Sequence, residues 1–485
     1  MDEKLRGTVI SSTFIFLSRI TGLLRDMIFA MICGASWRTD AFFTAFSIPN
    51  TLRRIFAEGL ASPAYVPIFV SARETGGQSK LKDAFSKTLF SSVFISSCVT
   101  LFGILFSPVI ISIFAPGFTY EAKVLGTKFL MLTFPFLIFV TVSVVFGSLL
   151  NSLKIFSVPN LAFSFFNVSF IFFGVLFYFL NFDPLWGFAA GVLAGGIFQT
   201  LVQFPSLIKR DMGIKISLKL KNEYFDRIKK SLPPILFGGL IYQVNLMVSR
   251  AIASFLPVGS ISYLWYSSRL FEFPLGIFVY SISTVSVPFM SSRKEDKGTL
   301  SWSMRSSIFI TVPAAVGLCL IGDKIIDILF MRGHFSQRDV YETYKALFAY
   351  SVGLPFVGCS RVMTVYFQSK GKLNLPVIAS AISFFVNVLF SVILMRFMGH
   401  QGIALSTSIS SGVSLLYMVL KRDEKIDLGL LRVVIPSVAM GFFILLLRNW
   451  NFESDIFQKI IWLFTSIAGS IAVYILFFYI LKRNV

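Results

Sequence analysis

Histidine is almost absent from this chain. His334 and His400 are the only two in 485 residues, and both fall in short predicted loops, so neither a metal centre nor a histidine-based triad is indicated. Cysteine is scarce too. Cys33, Cys98, Cys319 and Cys359 are scattered through apolar stretches without the spacing of a disulfide framework or a metal site, and they read as plain core residues. Charge is thin: 14% of residues are Asp, Glu, Lys or Arg, against about a quarter in a soluble domain. Paired carboxylates, a glycine-rich phosphate loop before a lysine and a nucleophile–base set are all missing from the sequence. That argues against an enzyme, against a bound cofactor and against a nucleotide-driven pump. A cleavable signal is not expected either, because Arg19, Arg25 and Asp26 interrupt the first apolar stretch and no small-residue cleavage site follows.

What the chain has instead is apolar length. It is 55% hydrophobic, with a mean hydropathy of +0.77. Apolar runs near the ~20 residues needed to cross a bilayer recur from end to end. They are too long for barrel strands and do not alternate with period two. Backbone groups in lipid must bond within their own segment, so the runs predict helices. About fourteen are expected, over 8–33, 38–62, 84–112, 124–150, 157–180, 185–208, 230–256, 261–290, 300–321, 342–368, 374–397, 401–420, 429–447 and 459–481. The fold class is all-α and polytopic.

The net charge of +20 would suit a nucleic acid, but its distribution by loop points to a membrane. One alternating set of connections, with both termini, carries roughly 24 Lys and Arg; the other set carries roughly 4. The positive-inside rule then places both termini in the cytoplasm and favours an even helix count. The basic stretch 209–229 belongs to the inner set. Topology accounts for it, with attraction to anionic headgroups as a second reading.

A faint internal repeat runs through the chain. Arg53-Arg54-Ile55-Phe56 with Gly59 and Pro67 is matched by Arg269-Leu270-Phe271-Glu272 with Gly276 and Pro288. Phe114-Ala115-Pro116-Gly117-Phe118 is matched by Phe330-Met331-Arg332-Gly333-His334-Phe335. Ser152-Leu153-Lys154 before Pro159 is matched by Ser369-Lys370-Gly371 before Pro376. The three matches share an offset of about 216 residues, the mark of a repeat. Six predicted spans separate equivalent positions, so two parallel six-helix lobes are expected with a site between them, an architecture of transporters. The expected divisions are 1–210, 211–422 and, outside the repeat, 423–485 with the last two spans.

A few charges lie at depth. Arg19 is central in the first predicted span and Arg25 follows it. Asp40 opens the second, with Arg53, Arg54 and Glu58 further along. Arg269 and Glu272 lie inside the eighth. Each costs on the order of 3 kcal/mol at mid-depth and must face protein or water. Internal pairing of Arg54 with Glu58 and of Arg269 with Glu272 is one reading. The other is a water-filled cationic cavity, since the arginines outnumber the buried acids and guanidinium forks suit phosphate oxygens. Gly22, Pro49, Gly59, Pro63, Pro67, Pro274 and Gly276 lie close by and allow kinks, or are ordinary membrane-helix residues.

At these residues the sequence resembles a known family. Ser18-Arg19-Ile20-Thr21-Gly22-Leu23-Leu24-Arg25-Asp26, then Thr39-Asp40-Ala41-Phe42-Phe43, then Pro49 through Gly59 are similar to the MurJ (MviN) family. Arg269 to Pro274, Ala115 to Phe118, and Arg332-Gly333 with Phe335 are similar too. These are the lipid II flippases of bacterial peptidoglycan synthesis, within the multidrug/oligosaccharidyl-lipid/polysaccharide exporter superfamily. The resemblance implies fourteen helices, two lobes, a central cationic cavity, and a groove from the last two helices for the undecaprenyl tail. By motif position it implies Arg19, Arg25, Arg53 and Arg269 as contacts to diphosphate and headgroup. Asp40, Arg54, Glu58 and Glu272 would gate or pair with them. It implies the bacterial inner membrane, and as partners lipid II, membrane lipids and proteins of cell-wall synthesis, with no nucleic acid.

Two departures stand out. Where many relatives carry an acid before the arginine of the eighth span, this chain has Ser268. Some members carry a sodium site; the matching positions here are Ser249, Asn387, Ser391, Ile403 and Thr407. Serines replace its two carboxylates, and a hard cation without nearby negative charge binds weakly, so no metal is expected. Export of another polyprenyl-linked oligosaccharide, or of drugs, is the alternative within transport, although the arginine-rich block argues against drugs. A membrane glycan polymerase or ligase would place its chemistry in a large outer loop, and every outer loop predicted here is short. A non-transporting scaffold would not require the arginines.

Overall fold

The computed structural model describes residues 3–59, 61–213, 223–279, 282, 286, 290, 298–424, 426, 428–448 and 456–483. Among them the regular elements are all helical. The chain divides into two compact units, Met1–Phe255 and Leu256–Val485.

The first unit contains α1 (Glu3–Cys33), α2 (Trp37–Leu52), α3 (Val66–Leu105), α4 (Ser107–Phe114), α5 (Tyr120–Thr133), α6 (Phe136–Ser152), α7 (Ser157–Phe179), α8 (Pro184–Leu201), α9 (Phe204–Ile208) and α10 (Glu223–Ala253). Two π-helical segments, Arg53–Glu58 and Ala61–Tyr65, join α2 to α3. The second unit contains α11 (Ser260–Pro274), α12 (Thr299–Phe330), α13 (Gln337–Val352), α14 (Leu354–Ser369), α15 (Asn374–Met398), α16 (His400–Leu420), α17 (Leu431–Arg448) and α18 (Ile456–Arg483). A π segment, Leu275–Val279, follows α11.

Nine helices of the described residues are long and apolar enough to cross a membrane, ten if α13 and α14, bent by 45° at Gly353, form one span. The remaining predicted spans fall on α1, α2, α10 and α11. Three of these carry the ionisable residues singled out above: Arg19 and Arg25 on α1, Asp40 on α2, Arg269 and Glu272 on α11.

Three sequence expectations need correction. The second span does not end at 62: helix continues through the polar stretch to about Thr75, because nothing before Gly76 and Gly77 breaks it, and Gly77 takes φ 61°. The 124–150 span holds as one apolar crossing, Tyr120–Ser152, with a local break at Phe134-Pro135, where proline has no N–H to continue the bonding ladder. His400 is not in a loop but is the first residue of α16 and is buried. Of the four cysteines only Cys359 is buried; Cys98 is exposed, as suits a helix whose outer face meets lipid. The side chain of Glu58, the Pro63 side chain, Pro288, residues 214–222 of the basic stretch, and Arg293, Lys294, Lys297 and Lys425 lie outside the described residues.

The repeat is visible in the caps and turns. Thr119 caps α5 by accepting from Ala122 N, and Ser336 caps α13 by accepting from Asp339 N. Lys154 (φ 63°) and Gly371 (φ 72°) are both left-handed residues closing a helix. In each, the next N–H reaches back five residues: Ile155 to Leu150 O at 2.9 Å and Lys372 to Phe367 O at 2.9 Å. This is the Schellman ending. Asn181 and Gly399, both at φ 59°, lie in the turns before α8 and α16.

The core of the first unit around α1 is aromatic. Phe29 packs on Phe42, Phe43, Phe170 and Phe188 with ring centroids 4.8–6.0 Å apart. α7 and α8 approach closely because Gly187, Gly191 and Gly195 line one face of α8; a Cβ on Gly191 would sit 2.9 Å from Phe170 Cα. In the second unit α17 and α18 are held on α12. Arg448 pairs with Asp323 at 3.1 Å, Lys459 with Asp327 at 2.8 Å, and the Tyr474 hydroxyl donates to Phe309 O at 2.9 Å.

Candidate functional site

In the first unit, α1 and α2 hold most of the sequence-predicted residues. Arg19 is half-buried on α1. Arg25, about two turns from the end of that helix, is buried at 8% exposure. All three of its guanidinium nitrogens are engaged. Nε and Nη2 donate to Asp26 Oδ1 at 3.1 and 2.8 Å, and Nη1 donates to Asn167 Oδ1 at 3.2 Å. The guanidinium carbon lies 5.4 Å from the centroid of the Phe170 ring. This is how a membrane-depth cation is made tolerable: a carboxylate next to it, an amide from the neighbouring helix and an aromatic face.

Asp40 is buried in the first turn of α2. Gly34 (φ 59°) turns the chain, and Ser36 and Thr39 form a reciprocal capping box that starts the helix. A carboxylate there sits at the favourable, positive end of the helix dipole. Arg38, beside it, pairs with Asp183, the residue that caps α8. Arg53 opens the first π segment and its Nε donates to Asn50 Oδ1 at 3.2 Å; Arg54 next to it is half-buried. π turns interrupt the regular ladder and are common at functional positions.

In the second unit, Arg269 on α11 lies 3.8 Å from Glu272, the i,i+3 pair expected from sequence, and its guanidinium carbon is 4.4 Å from the Trp265 ring centroid. The π segment Leu275–Val279 begins six residues after Arg269, whereas in the first unit Arg53 is itself the first residue of a π segment. Four of the five positions matching the sodium site also meet in this unit. Asn387 Nδ2 donates to Thr407 Oγ1 at 3.2 Å, Ser391 Oγ donates to Asn387 Oδ1 at 3.5 Å, and Thr407 Oγ1 donates to Ile403 O at 3.4 Å. Asn387 and Ser391 are fully buried. The oxygens there are neutral and already bonded to one another. Ser249 is buried on α10, in the first unit.

Sequence reasoning missed Asn167, Asp183, Asp339 and the Glu342–Lys345 pair. The Tyr263 hydroxyl donates to Asp339 Oδ1 at 2.8 Å, tying α11 to α13. Lys345 bonds Glu342 at 3.1 Å, and His400 Nε2 is 2.8 Å from Glu342 O. The signal that marked the arginines, a polar group inside an apolar run, was present for Asn167 in Phe165-Phe166-Asn167-Val168. An uncharged amide simply stands out less.

The profile of the family described as Lipid II flippase MurJ matches residues 29–483. A probable lipid II flippase MurJ from Thermotoga maritima is 33% identical over 491 residues, covering 99% of this chain and 97% of that protein. One from Buchnera aphidicola subsp. Schizaphis graminum is 34% identical, covering 95% and 93%. Among solved structures, a lipid II flippase MurJ in an inward closed conformation superposes with a TM-score of 0.84 at 30% identity, covering 98% of this chain and 99% of that one. An inward-facing MATE-family multidrug transporter of the MOP superfamily shares the fold, with a TM-score of 0.72 at 14% identity.

Proposed function

The chain belongs to the lipid II flippase MurJ family, a family of transporters and not of enzymes, and we propose that it moves lipid II from the inner to the outer leaflet of the bacterial cytoplasmic membrane by alternating access. The observation that carries this reading is the near-complete match to named relatives, together with arginines kept at depth in both units. Lipid II presents a diphosphate, and a guanidinium fork meets two of its oxygens at once.

In this reading Arg19, Arg25, Arg53 and Arg269 engage the diphosphate and headgroup. Asp40, Arg54, Glu58 and Glu272 pair with those arginines or gate access to them. Fourteen crossings put both termini in the cytoplasm, with lobes at 1–210 and 211–422. Residues 423–485 supply a groove for the undecaprenyl tail. Proteins of cell-wall synthesis are natural partners. Driving force comes from the membrane potential acting on the cationic site and not from sodium, since the Asn387–Ser391–Thr407 cluster offers no carboxylate at the matched positions.

The test is depletion in the host. Lipid II should accumulate in the inner leaflet, and the wild-type chain should relieve the accumulation. Alanine at Arg19, Arg53 or Arg269 should not. Full relief by all three variants contradicts the arginine mechanism; no accumulation on depletion contradicts the substrate.

A further inference from the structure

Asn167 joins two features of α1 at once. Its Oδ1 accepts from Arg25 Nη1 at 3.2 Å. Its Nδ2 donates to Ser18 O at 3.1 Å and to Thr21 Oγ1 at 3.1 Å. Ser18, Thr21 and Arg25 fall at i, i+3 and i+7, one face of the helix. Gly22 lies on the same face, where a Cβ would stand 3.6 Å from Asn167 Nδ2. Asn167 is 6% exposed and comes from the middle of α7, a helix whose other buried polar side chains are the smaller Ser164 and Ser169. A carboxamide at that depth, with three bonds to a neighbouring helix, is a costly residue to keep for packing alone.

We propose that Asn167 is the positioning residue of Arg25, and that its bond to Nη1 is the one a substrate phosphate oxygen replaces. This rests on the function proposed above. The three bonds to the guanidinium are unequal. Two go to the Asp26 carboxylate at 3.1 and 2.8 Å and are charge-assisted at the acceptor. The third goes to a neutral amide oxygen and is the longest. A phosphate oxygen outcompetes an amide oxygen for a guanidinium proton, but competes on level terms with a carboxylate. Exchange therefore occurs at Nη1. Asp26 keeps its hold on Nε and Nη2, and Asn167 stays in place through Ser18 O and Thr21 Oγ1. The amide satisfies Arg25 when substrate is absent, aims Nη1, and gives way at low cost. An acid at position 167 would do the first and not the last.

The experiment uses the full chain in proteoliposomes with lipid II as substrate, reading half-saturating concentration and maximal rate separately, with thermal stability measured alongside. Asn167→Asp, the isosteric change, should raise the half-saturating concentration on the order of tenfold, because a second carboxylate now holds Nη1. Asn167→Ala should raise it less. Asn167→Asp combined with Asp26→Asn returns the network to a single carboxylate and should recover most of the loss. A role in packing alone predicts a loss of stability in both variants, since Asp also lacks the two bonds that Nδ2 donates to Ser18 O and Thr21 Oγ1, with the half-saturating concentration unchanged. That result, or no recovery in the paired variant, overturns the proposal. If wild-type protein moves no lipid II, the functional reading falls and this proposal with it; wild-type transport with an unaltered Asn167→Asp variant overturns this proposal alone.

Discussion

Arg25 shows how much a single buried charge demands of its surroundings. Its side chain and that of Asp26 are 10% and 8% exposed. Removing one partner of such a pair strands the other, a loss of about 3–5 kcal/mol. Arg25→Ala should therefore lower the thermal unfolding midpoint of the purified protein, while Arg25→Ala combined with Asp26→Ala recovers part of it; equal midpoints in all three would contradict the pairing. Arg269 is a softer case. Its 3.8 Å contact with Glu272 and its place over Trp265 leave it 23% exposed. Trp265→Leu should weaken lipid II transport more than Glu272→Gln, because the aromatic face orients the guanidinium plane, as rates in vesicles would show. At this scale the sequence was readable where charge broke an apolar run, as at Arg19, Arg25 and Arg269. Their partners were less so. Glu272 was found because it lies one turn away, whereas Asn167 lies on another helix and no local spacing relates it to Arg25.

Elements were legible as long apolar helices and blurred at their breaks. Hydropathy runs located the spans because lipid leaves helix as the only local solution. It could not show that α13 and α14 bend by 45°; the break falls where Pro355, in the first turn of α14, has no N–H to continue the ladder, and where Gly353 packs so closely that a Cβ would lie 2.3 Å from Ser408 Oγ. The polar helical stretch up to Gly76 was hidden for the opposite reason: it has no apolar run to announce it. The π segments beside Arg53 and after α11 have no sequence signature beyond nearby proline and glycine. Glycine spacing does carry a prediction. Gly187, Gly191 and Gly195 let α8 lie against α7, and larger residues would force the helices apart. Gly191→Leu should destabilise by about 1–3 kcal/mol or more and lower the unfolding midpoint. Gly213→Ala, where a Cβ meets nothing within 4 Å, serves as the neutral control. A Gly191→Leu variant as stable as that control would refute the packing account.

For the whole molecule, the repeat was legible as three short matches, and the structure adds paired caps and paired left-handed turns at the same places. Those turns recur because each ends a helix that must reverse at once, and Lys154 and Gly371 do this with different residues, which is why identity alone shows the repeat so faintly. Loop charge gave the topology reading; the structural lobes and the driving force are not written in hydropathy. The sodium question is open to direct test. Transport by the wild type should be the same in sodium and in potassium, and Ser249→Asp with Ser391→Asp should confer sodium dependence by restoring two carboxylates. Sodium dependence of the unmodified protein would contradict the account.

The most direct measurement is leaflet exchange in vesicles of defined composition. Fluorescent lipid II is distributed across both leaflets of proteoliposomes, the outer pool is quenched with a membrane-impermeant reductant, and the inner pool is followed as it emerges. The account predicts continued loss of signal with the wild-type chain, and the slow background of empty vesicles with alanine at Arg19, Arg53 or Arg269. Loss at the wild-type rate in all three variants, or no loss with the wild type, would contradict it.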